Sequence, residues 1–107
     1  SCYRIFPFDK IPPDQKILIY GAGWAGQKYG GQLVQSGYGE LTGFVDRNYR
    51  NIPQANGRRV YGLEEIQGLE FDYIVVAIRS PSVNQQVQKE LRAAGIEEDK
   101  IVSYLKN

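Results

Sequence analysis

The feature that most constrains this chain is a glycine-rich turn between an apolar segment and a helix-like segment. Residues 17–20 form a short continuous apolar run, which is typical of a strand buried on both faces of a parallel sheet. The segment GAGWAG at residues 21–26 follows directly and has the spacing G-x-G-x-x-G. Residues 24–36 then carry small and apolar residues at helical spacing. The order of strand, glycine turn and helix predicts the first unit of an α/β fold.

An acidic residue stands at the distance that a dinucleotide site requires. Asp46 lies 20 residues beyond Gly26, at the end of a second predicted strand over residues 41–45. Gly21 is expected to allow the tight turn, Gly23 to let a phosphate approach the backbone, and Gly26 to let the helix lie close to the sheet. The helix start favours an anion, and Asp46 can accept hydrogen bonds from ribose hydroxyls. The alternative is a turn that serves packing only, with Asp46 as a cap.

Basic residues surround the end of the second strand. Arg47, Arg50, Arg58 and Arg59 could hold a 2′-phosphate or a sugar-nucleotide phosphate, or form a solvated basic loop. Arg47 follows Asp46 directly and is the best candidate to contact an adenine face or a phosphate. The Asp46 carboxylate favours NAD over NADP as the ligand, whereas Arg47 leaves NADP as an alternative.

Two further residues stand near the predicted site. Trp24, at the mouth of the turn, is expected to lie over the ligand, to pack against the N-terminal arm, or to obstruct a dinucleotide. Ser80 follows the third strong strand, where α/β sheets bind ligands. It is expected to cap a helix that begins at Pro81, and a hydrogen bond to a ribose or phosphate is the alternative.

The remainder of the chain alternates strands and helices. Strands are predicted at residues 17–20, 41–45, 59–61, 73–78 and 101–104, with the one at 59–61 at an edge of the sheet. Helices are predicted at residues 24–36, 63–67 and 81–94, and residues 47–58 are predicted as a loop. This order predicts a three-layer α/β/α Rossmann-like fold with an open parallel sheet of about five strands. Residues 1–15 are predicted as an N-terminal arm or linker, and residues 16–107 as one nucleotide-binding domain.

The two long predicted helices each have an apolar face. In the first helix this face is predicted to hold Gly26, Gly30, Leu33, Val34 and Gly37. In the second helix it is predicted to hold Val83, Val87, Leu91 and Ala94.

Residue counts exclude several kinds of chemistry. The chain has no His, which excludes an imidazole base and a His-ligated metal, and its single Cys excludes an internal disulfide or a metal-binding Cys cluster. The net charge of +1 argues against a general nucleic-acid binder. No apolar run approaches the roughly 20 residues of a membrane span, so a cytoplasmic location without membrane contact is expected. A chain that starts Ser1-Cys2 and has no Met suggests a domain from a longer protein.

Residues 16–104 resemble the small NAD(P)-binding Rossmann-like domains of surface-polysaccharide biosynthesis. The resemblance is carried by KILIYGAGWAGQKYGGQLVQSGYGELTGFVDRN, VYGLEEI and DYIVVAIRSPSVNQQVQKELRAAGIEEDKIV. Such domains precede the catalytic domain of nucleotide-sugar dehydratases and epimerases, and similar units accompany sugar transferases. The resemblance implies NAD or NADP, with NAD preferred, or a nucleotide sugar as ligand. The complete set of expected cofactor-binding residues is Gly21, Gly23, Trp24, Ala25, Gly26, Asp46, Arg47 and Ser80.

The chain also departs from those relatives. It has no Tyr-x-x-x-Lys pair and no His base, so no catalytic or metal-binding residue is predicted, and whether the parent protein is an enzyme stays open. The main hypothesis is a nucleotide-binding domain of a sugar-nucleotide dehydratase or epimerase that is not catalytic alone. The alternatives are a non-catalytic regulatory or oligomerisation module and a coenzyme A binding domain. Expected partners are a nucleotide or dinucleotide and another domain of the parent chain, with a homodimer as an open alternative. No nucleic-acid partner is expected.

Overall fold

The structure is a computed structural model that describes residues 3–105; Ser1, Cys2, Lys106 and Asn107 lie outside the described residues. Its strands are β1 (Lys16–Tyr20), β2 (Glu40–Val45), β3 (Gln54–Ala55), β4 (Arg58–Tyr61), β5 (Tyr73–Val76) and β6 (Ile101–Ser103). Its α-helices are α1 (Trp24–Ser36) and α2 (Pro81–Ala93). Short 3-10 helices occupy Phe8–Lys10, Leu63–Gly68 and Glu98–Lys100. The predicted elements therefore exist, with ends that differ by one to a few residues.

The six strands form one sheet in the order β3-β4-β2-β1-β5-β6. All pairings are parallel except that of β3 with β4. Side chains of successive strand residues point to opposite faces of a sheet. Accordingly, Ile17 and Ile19 pack in the cluster that includes the buried face of α1, whereas Leu18 and Tyr20 pack with α2. The two helices thus cover opposite faces, which confirms the three-layer α/β/α Rossmann-like fold.

The sixth strand corrects two predictions for residues 47–61. Strand β3 lies inside the segment predicted as a loop, and it makes β4 an internal strand rather than an edge strand. A two-residue turn at Asn56 and Gly57 joins β3 to β4, and both residues have positive φ angles of 50° and 72°. Asn-Gly favours this hairpin geometry because both residues tolerate the left-handed region.

Each helix buries a face that differs from the predicted one at one apolar position. Val34 of α1 is exposed and Tyr29 is buried instead. Val83 of α2 is likewise exposed, whereas Asn84 and Gln88 are buried. A residue is buried when it lies on the face of the helix that packs on the sheet. A polar side chain can occupy that face when its hydrogen bonds are satisfied.

Asn84 shows how these polar groups are accommodated. Its side-chain nitrogen donates to the carbonyl of Ile78 at 2.9 Å. Its oxygen accepts from Gln88 Nε2 at 2.7 Å and from Ser103 Oγ at 2.9 Å. The network joins α2 to the segment after β5 and to the last strand, so it fixes the helix that forms one wall of the site described below.

The N-terminal arm packs on the domain over its described residues. Phe6 is 1% exposed and Ile11 is also buried in the α1-side core. The ring of Phe6 meets that of Tyr29 edge-on, with centroids 5.9 Å apart. The Phe6 N–H donates to Gln32 Oε1 at 2.7 Å. These contacts place the arm against α1. The domain boundary at residue 16 stays a prediction.

None of the helices formed by residues 3–105 is long and apolar enough to span a membrane.

Candidate functional site

A cleft of about 460 Å³ opens at the carboxyl ends of β1, β2 and β5. In the sheet, β2 and β4 lie on one side of β1, and β5 and β6 lie on the other side. The loops after β1 and β5 therefore diverge to opposite faces of the sheet, which leaves a crevice between the starts of α1 and α2. Open α/β sheets bind ligands at such a topological switch point.

Two glycines of the turn are required by the fold itself. Gly21 has a φ angle of +111°, and a Cβ there would lie 2.9 Å from the carbonyl oxygen of Ala77. A Cβ on Gly26 would lie 1.7 Å from the carbonyl oxygen of Gly21. Gly26 lies beneath the turn and does not line the cleft, so its predicted role in close packing matches its position.

Gly23 differs from these two because the protein does not need a glycine there. A Cβ on Gly23 would meet nothing within 4 Å. The residue is exposed, lines the cleft and forms the N-cap of α1 without a side-chain cap. The first N–H groups of a helix have no partner within the helix. The backbone at Trp24 and Ala25 can therefore meet a phosphate that approaches over Gly23.

Asp46 joins the turn after β1 to the turn after β2. Its Oδ2 accepts from the backbone N–H of Ala22 at 2.7 Å, and its Oδ1 accepts from that of Asn48 at 2.7 Å. The cap that sequence analysis gave as the alternative role is thus present. Because each carboxylate oxygen can accept more than one hydrogen bond, both retain capacity for ribose hydroxyls. The half-buried side chain lines the cleft, so the two roles are compatible.

Arg47 lines the cleft but its guanidinium is already paired. Its Nη2 lies 2.7 Å from Oε2 of Glu90 on α2, and the partner carboxylate raises the pKa of Arg47. Arg47 also lies close enough to the phenol of Tyr20 to influence its pKa. Burial raises the pKa of that phenol, with Arg47 opposing the shift. The expected adenine or phosphate contact would therefore compete with an existing ion pair.

The other three arginines of the basic segment do not line the cleft. Arg50 stacks on Tyr49 with its guanidinium carbon 4.7 Å from the ring centroid. Arg58 Nε donates to the carbonyl of Leu41 at 2.8 Å, and Arg59 pairs with Glu65 at 3.1 Å. Their geometry matches structural or solvated roles rather than a phosphate clamp.

Trp24 and Ser80 take different positions at the entrance. Trp24 is 60% exposed and lines the cleft, with Lys28 Nζ lying 5.3 Å from its ring centroid. Ser80 is the N-cap of α2 and its Oγ accepts from the Val83 N–H at 3.5 Å. Ser80 does not line the cleft, so its capping role is the one the geometry supports.

An apolar wall completes the cleft, and sequence analysis did not single it out. It consists of the end of β1, the residues after β5 and the first turns of α2: Tyr20, Ala77, Ile78, Val83 and Val87. The charged residue Arg79 lies beside this wall. The predicted topology could have identified this wall, because residues that follow adjacent parallel strands meet at one edge of the sheet. Among residues 3–105, no three acidic or cysteine side chains are grouped so that they could hold a metal ion.

Comparisons with known proteins give a family and a fold. A family model described as C2185-like, N-terminal, matches residues 13–102. No curated protein matches the sequence. The crystal structure of RSP, a Rex-family repressor, is 19% identical with a TM-score of 0.64, covering 90% of this chain and 53% of that chain. RSP in complex with beta-NADH is 19% identical with a TM-score of 0.60, covering 84% and 52%.

These similarities leave some expectations unconfirmed. At 19% identity the likeness shows the fold alone, and the chain spans about half the length of these neighbours. Neither description mentions sugar biosynthesis, so that part of the expected resemblance is not confirmed. Because the neighbour is described as a repressor, the expectation of no nucleic-acid partner gains no support.

Proposed function

The chain belongs to the C2185-like N-terminal family, and we propose that it is a non-catalytic, NAD(H)-binding module that regulates the longer protein of which it forms a part. The observation that carries the proposal is the position of the uncapped α1 terminus at Gly23 beside the Asp46 carboxylate, in one cleft at the switch point. A pyrophosphate on the N–H groups and a ribose on Asp46 are the two contacts that define an adenosine half-site.

Gly23 supports a ligand at this position. Gly21 and Gly26 have steric reasons to be glycine within the protein, whereas Gly23 has none. A glycine at the cleft mouth leaves the backbone accessible from outside, and close approach of a phosphate is the use that such a turn offers.

The charges of the cleft suit binding rather than proton transfer. The raised pKa of Tyr20 keeps its phenol protonated at neutral pH, so it is not a base. Asp46 already holds two backbone N–H groups. Arg79 adds a cationic group to the lining, whereas the charge of Arg47 is paired with Glu90.

The structural neighbours favour regulation over sugar chemistry. RSP is described as a Rex-family repressor and has been solved with beta-NADH. Both descriptions concern a repressor, which is a regulatory protein, and one of them includes a reduced dinucleotide. We therefore place the regulatory function ahead of a role in a sugar-nucleotide dehydratase or epimerase, for which the comparisons give no support.

Strands β5 and β6, beside the part of the cleft that α2 lines, are short, with four and three residues. A full dinucleotide site has two mononucleotide halves, of which this chain supplies the first and a shortened second. The adenosine and pyrophosphate would be held at Asp46 and Gly23, and the nicotinamide would extend toward Arg79 and Val83. Another domain of the parent protein or a second copy would cover that end.

A thermal-shift panel tests the proposed ligand. The domain is melted with NADH, NAD, a UDP-sugar or coenzyme A at equal millimolar concentration, since a ligand that binds the folded state raises Tm. We expect a shift with NADH or NAD that exceeds the other two. A shift with the UDP-sugar alone would favour the sugar-biosynthesis alternative, and a shift with coenzyme A alone would favour the third hypothesis.

A further inference from the structure

We propose that Glu90 is a specificity-determining residue of the cleft: by holding Arg47 in an ion pair, it withholds the cation that a 2′-phosphate requires and so selects NAD(H) over NADP(H). The inference rests on the proposed function, because it concerns the same cleft. Glu90 acts through Arg47 and is therefore a positioning residue.

The ion pair crosses between two separate elements. Arg47 follows β2, whereas Glu90 lies near the end of α2, and Nη2 and Oε2 are 2.7 Å apart. Gln86 Nε2 also donates to Glu90 Oε2, at 3.4 Å. The Glu90 side chain is 29% exposed against 62% for Arg47, so the carboxylate is the more buried partner of the pair.

The position of Arg47 is the one where a 2′-phosphate would be recognised. Asp46 is the proposed acceptor for the ribose hydroxyls, and Arg47 is its neighbour in the chain. An arginine near this acidic residue accommodates the 2′-phosphate in NADP-binding domains, through paired hydrogen bonds from its planar guanidinium. The contact to Glu90 occupies part of this guanidinium and adds a second carboxylate beside Asp46, which repels a phosphate.

The other cationic residue of the lining does not replace Arg47. Arg79 follows β5, which is separated from β2 by β1. Two strand spacings amount to roughly 10 Å, so Arg79 lies at the opposite side of the cleft from Asp46. Its guanidinium carbon is 5.2 Å from the ring centroid of Tyr3.

The test compares NADH and NADPH affinities of the wild type, Glu90→Gln and Glu98→Gln. Glu98 is a matched control because it pairs with Arg92 at 3.1 Å at a site that does not line the cleft. Releasing Arg47 and removing the repulsion should raise NADPH affinity relative to NADH by roughly 3- to 10-fold. The gain should shrink at high salt, because exposed charges are screened. Glu98→Gln should leave the ratio as in the wild type.

A double variant, Arg47→Gln with Glu90→Gln, tests whether the effect passes through Arg47. We expect it to lose most of the gain that Glu90→Gln shows. A full gain in the double variant, or an unchanged NADPH-to-NADH ratio in Glu90→Gln while the wild type binds NADH, overturns the inference. If the wild type binds neither dinucleotide, the proposed function fails and the inference fails with it.

Discussion

The backbone N–H of Ala22 donates a 2.7 Å hydrogen bond to Oδ2 of Asp46, and this contact fastens the glycine turn after β1 to the end of β2. The second oxygen of the same carboxylate accepts from Asn48. One side chain therefore shapes the turn that would hold the pyrophosphate and also offers the lone pairs that would hold the ribose. Structure and binding should respond together when this group is changed.

Asp46→Asn should lower both stability and dinucleotide affinity. The amide has one acceptor oxygen, so either Ala22 or Asn48 loses its partner, at a cost of about 1–3 kcal/mol. The free energy of unfolding from urea titration measures the first effect, and NADH titration of the folded variant measures the second. Asp99→Asn, at an exposed position away from the cleft, is the control. Wild-type stability and affinity in Asp46→Asn would contradict both roles.

Gly26→Ala should lower stability, whereas Gly23→Ala should lower dinucleotide affinity. A methyl group on Gly26 would overlap the carbonyl of Gly21, so the turn must shift, and a loss of about 3 kcal/mol or more is expected. A methyl group on Gly23 meets open space, so its stability should stay within about 1 kcal/mol of wild type. Dinucleotide affinity should nevertheless fall in Gly23→Ala. Thermal melting with and without NADH separates the effects, and unchanged NADH affinity in Gly23→Ala would move the phosphate away from this turn.

Phe6→Ala should destabilise the domain although Phe6 lies in the arm. Phe6 is 1% exposed and packs against Tyr29, so its removal should cost about 3–5 kcal/mol. Ile5→Ala is the matched control because Ile5 is 59% exposed, and its change should stay within about 0.5 kcal/mol. Denaturant unfolding measures both. Equal small effects would mean that the arm does not belong to the folded core.

Asn84→Ala should destabilise more than its exposed neighbour Gln85→Ala. The change leaves the side chains of Gln88 and Ser103 without the oxygen that both contact, and the unmet hydrogen bonds should cost about 2–4 kcal/mol together. Gln85→Ala is expected to be nearly neutral. Chemical denaturation of the two variants is the measurement. A neutral Asn84→Ala would show that the buried network does not hold α2 in place.

The local parts of the site could be predicted from the sequence, because the glycine turn and its spacing to Asp46 act over short distances. The same holds for Ser80 as the cap of α2. Apolar periodicity was less reliable for Val34 and Val83, since it treats every apolar residue as buried.

The remaining features depend on partners far away in the chain. The burial of Asn84 is tolerated because groups such as Ser103 meet its hydrogen bonds, and Arg47 is paired because α2 brings Glu90 to it. Neither pairing has a local signal. The hairpin turn at Asn56 and Gly57 did have a local signal, which is the Asn-Gly pair itself. The polar segment around it is nevertheless typical of a loop.

The most direct test of the central claim uses Trp24, which is the single tryptophan of the chain and lines the proposed nucleotide cleft. Tryptophan emission overlaps the absorption band of reduced nicotinamide, so NADH bound in the cleft should accept energy from Trp24. Titration with NADH should give saturable quenching of Trp24 and sensitised nicotinamide emission, both weakened in Gly23→Ala and both absent with free N-acetyltryptophanamide. Linear, non-saturating quenching that matches the free compound up to millimolar NADH would contradict the assignment of this cleft as an NAD(H) site.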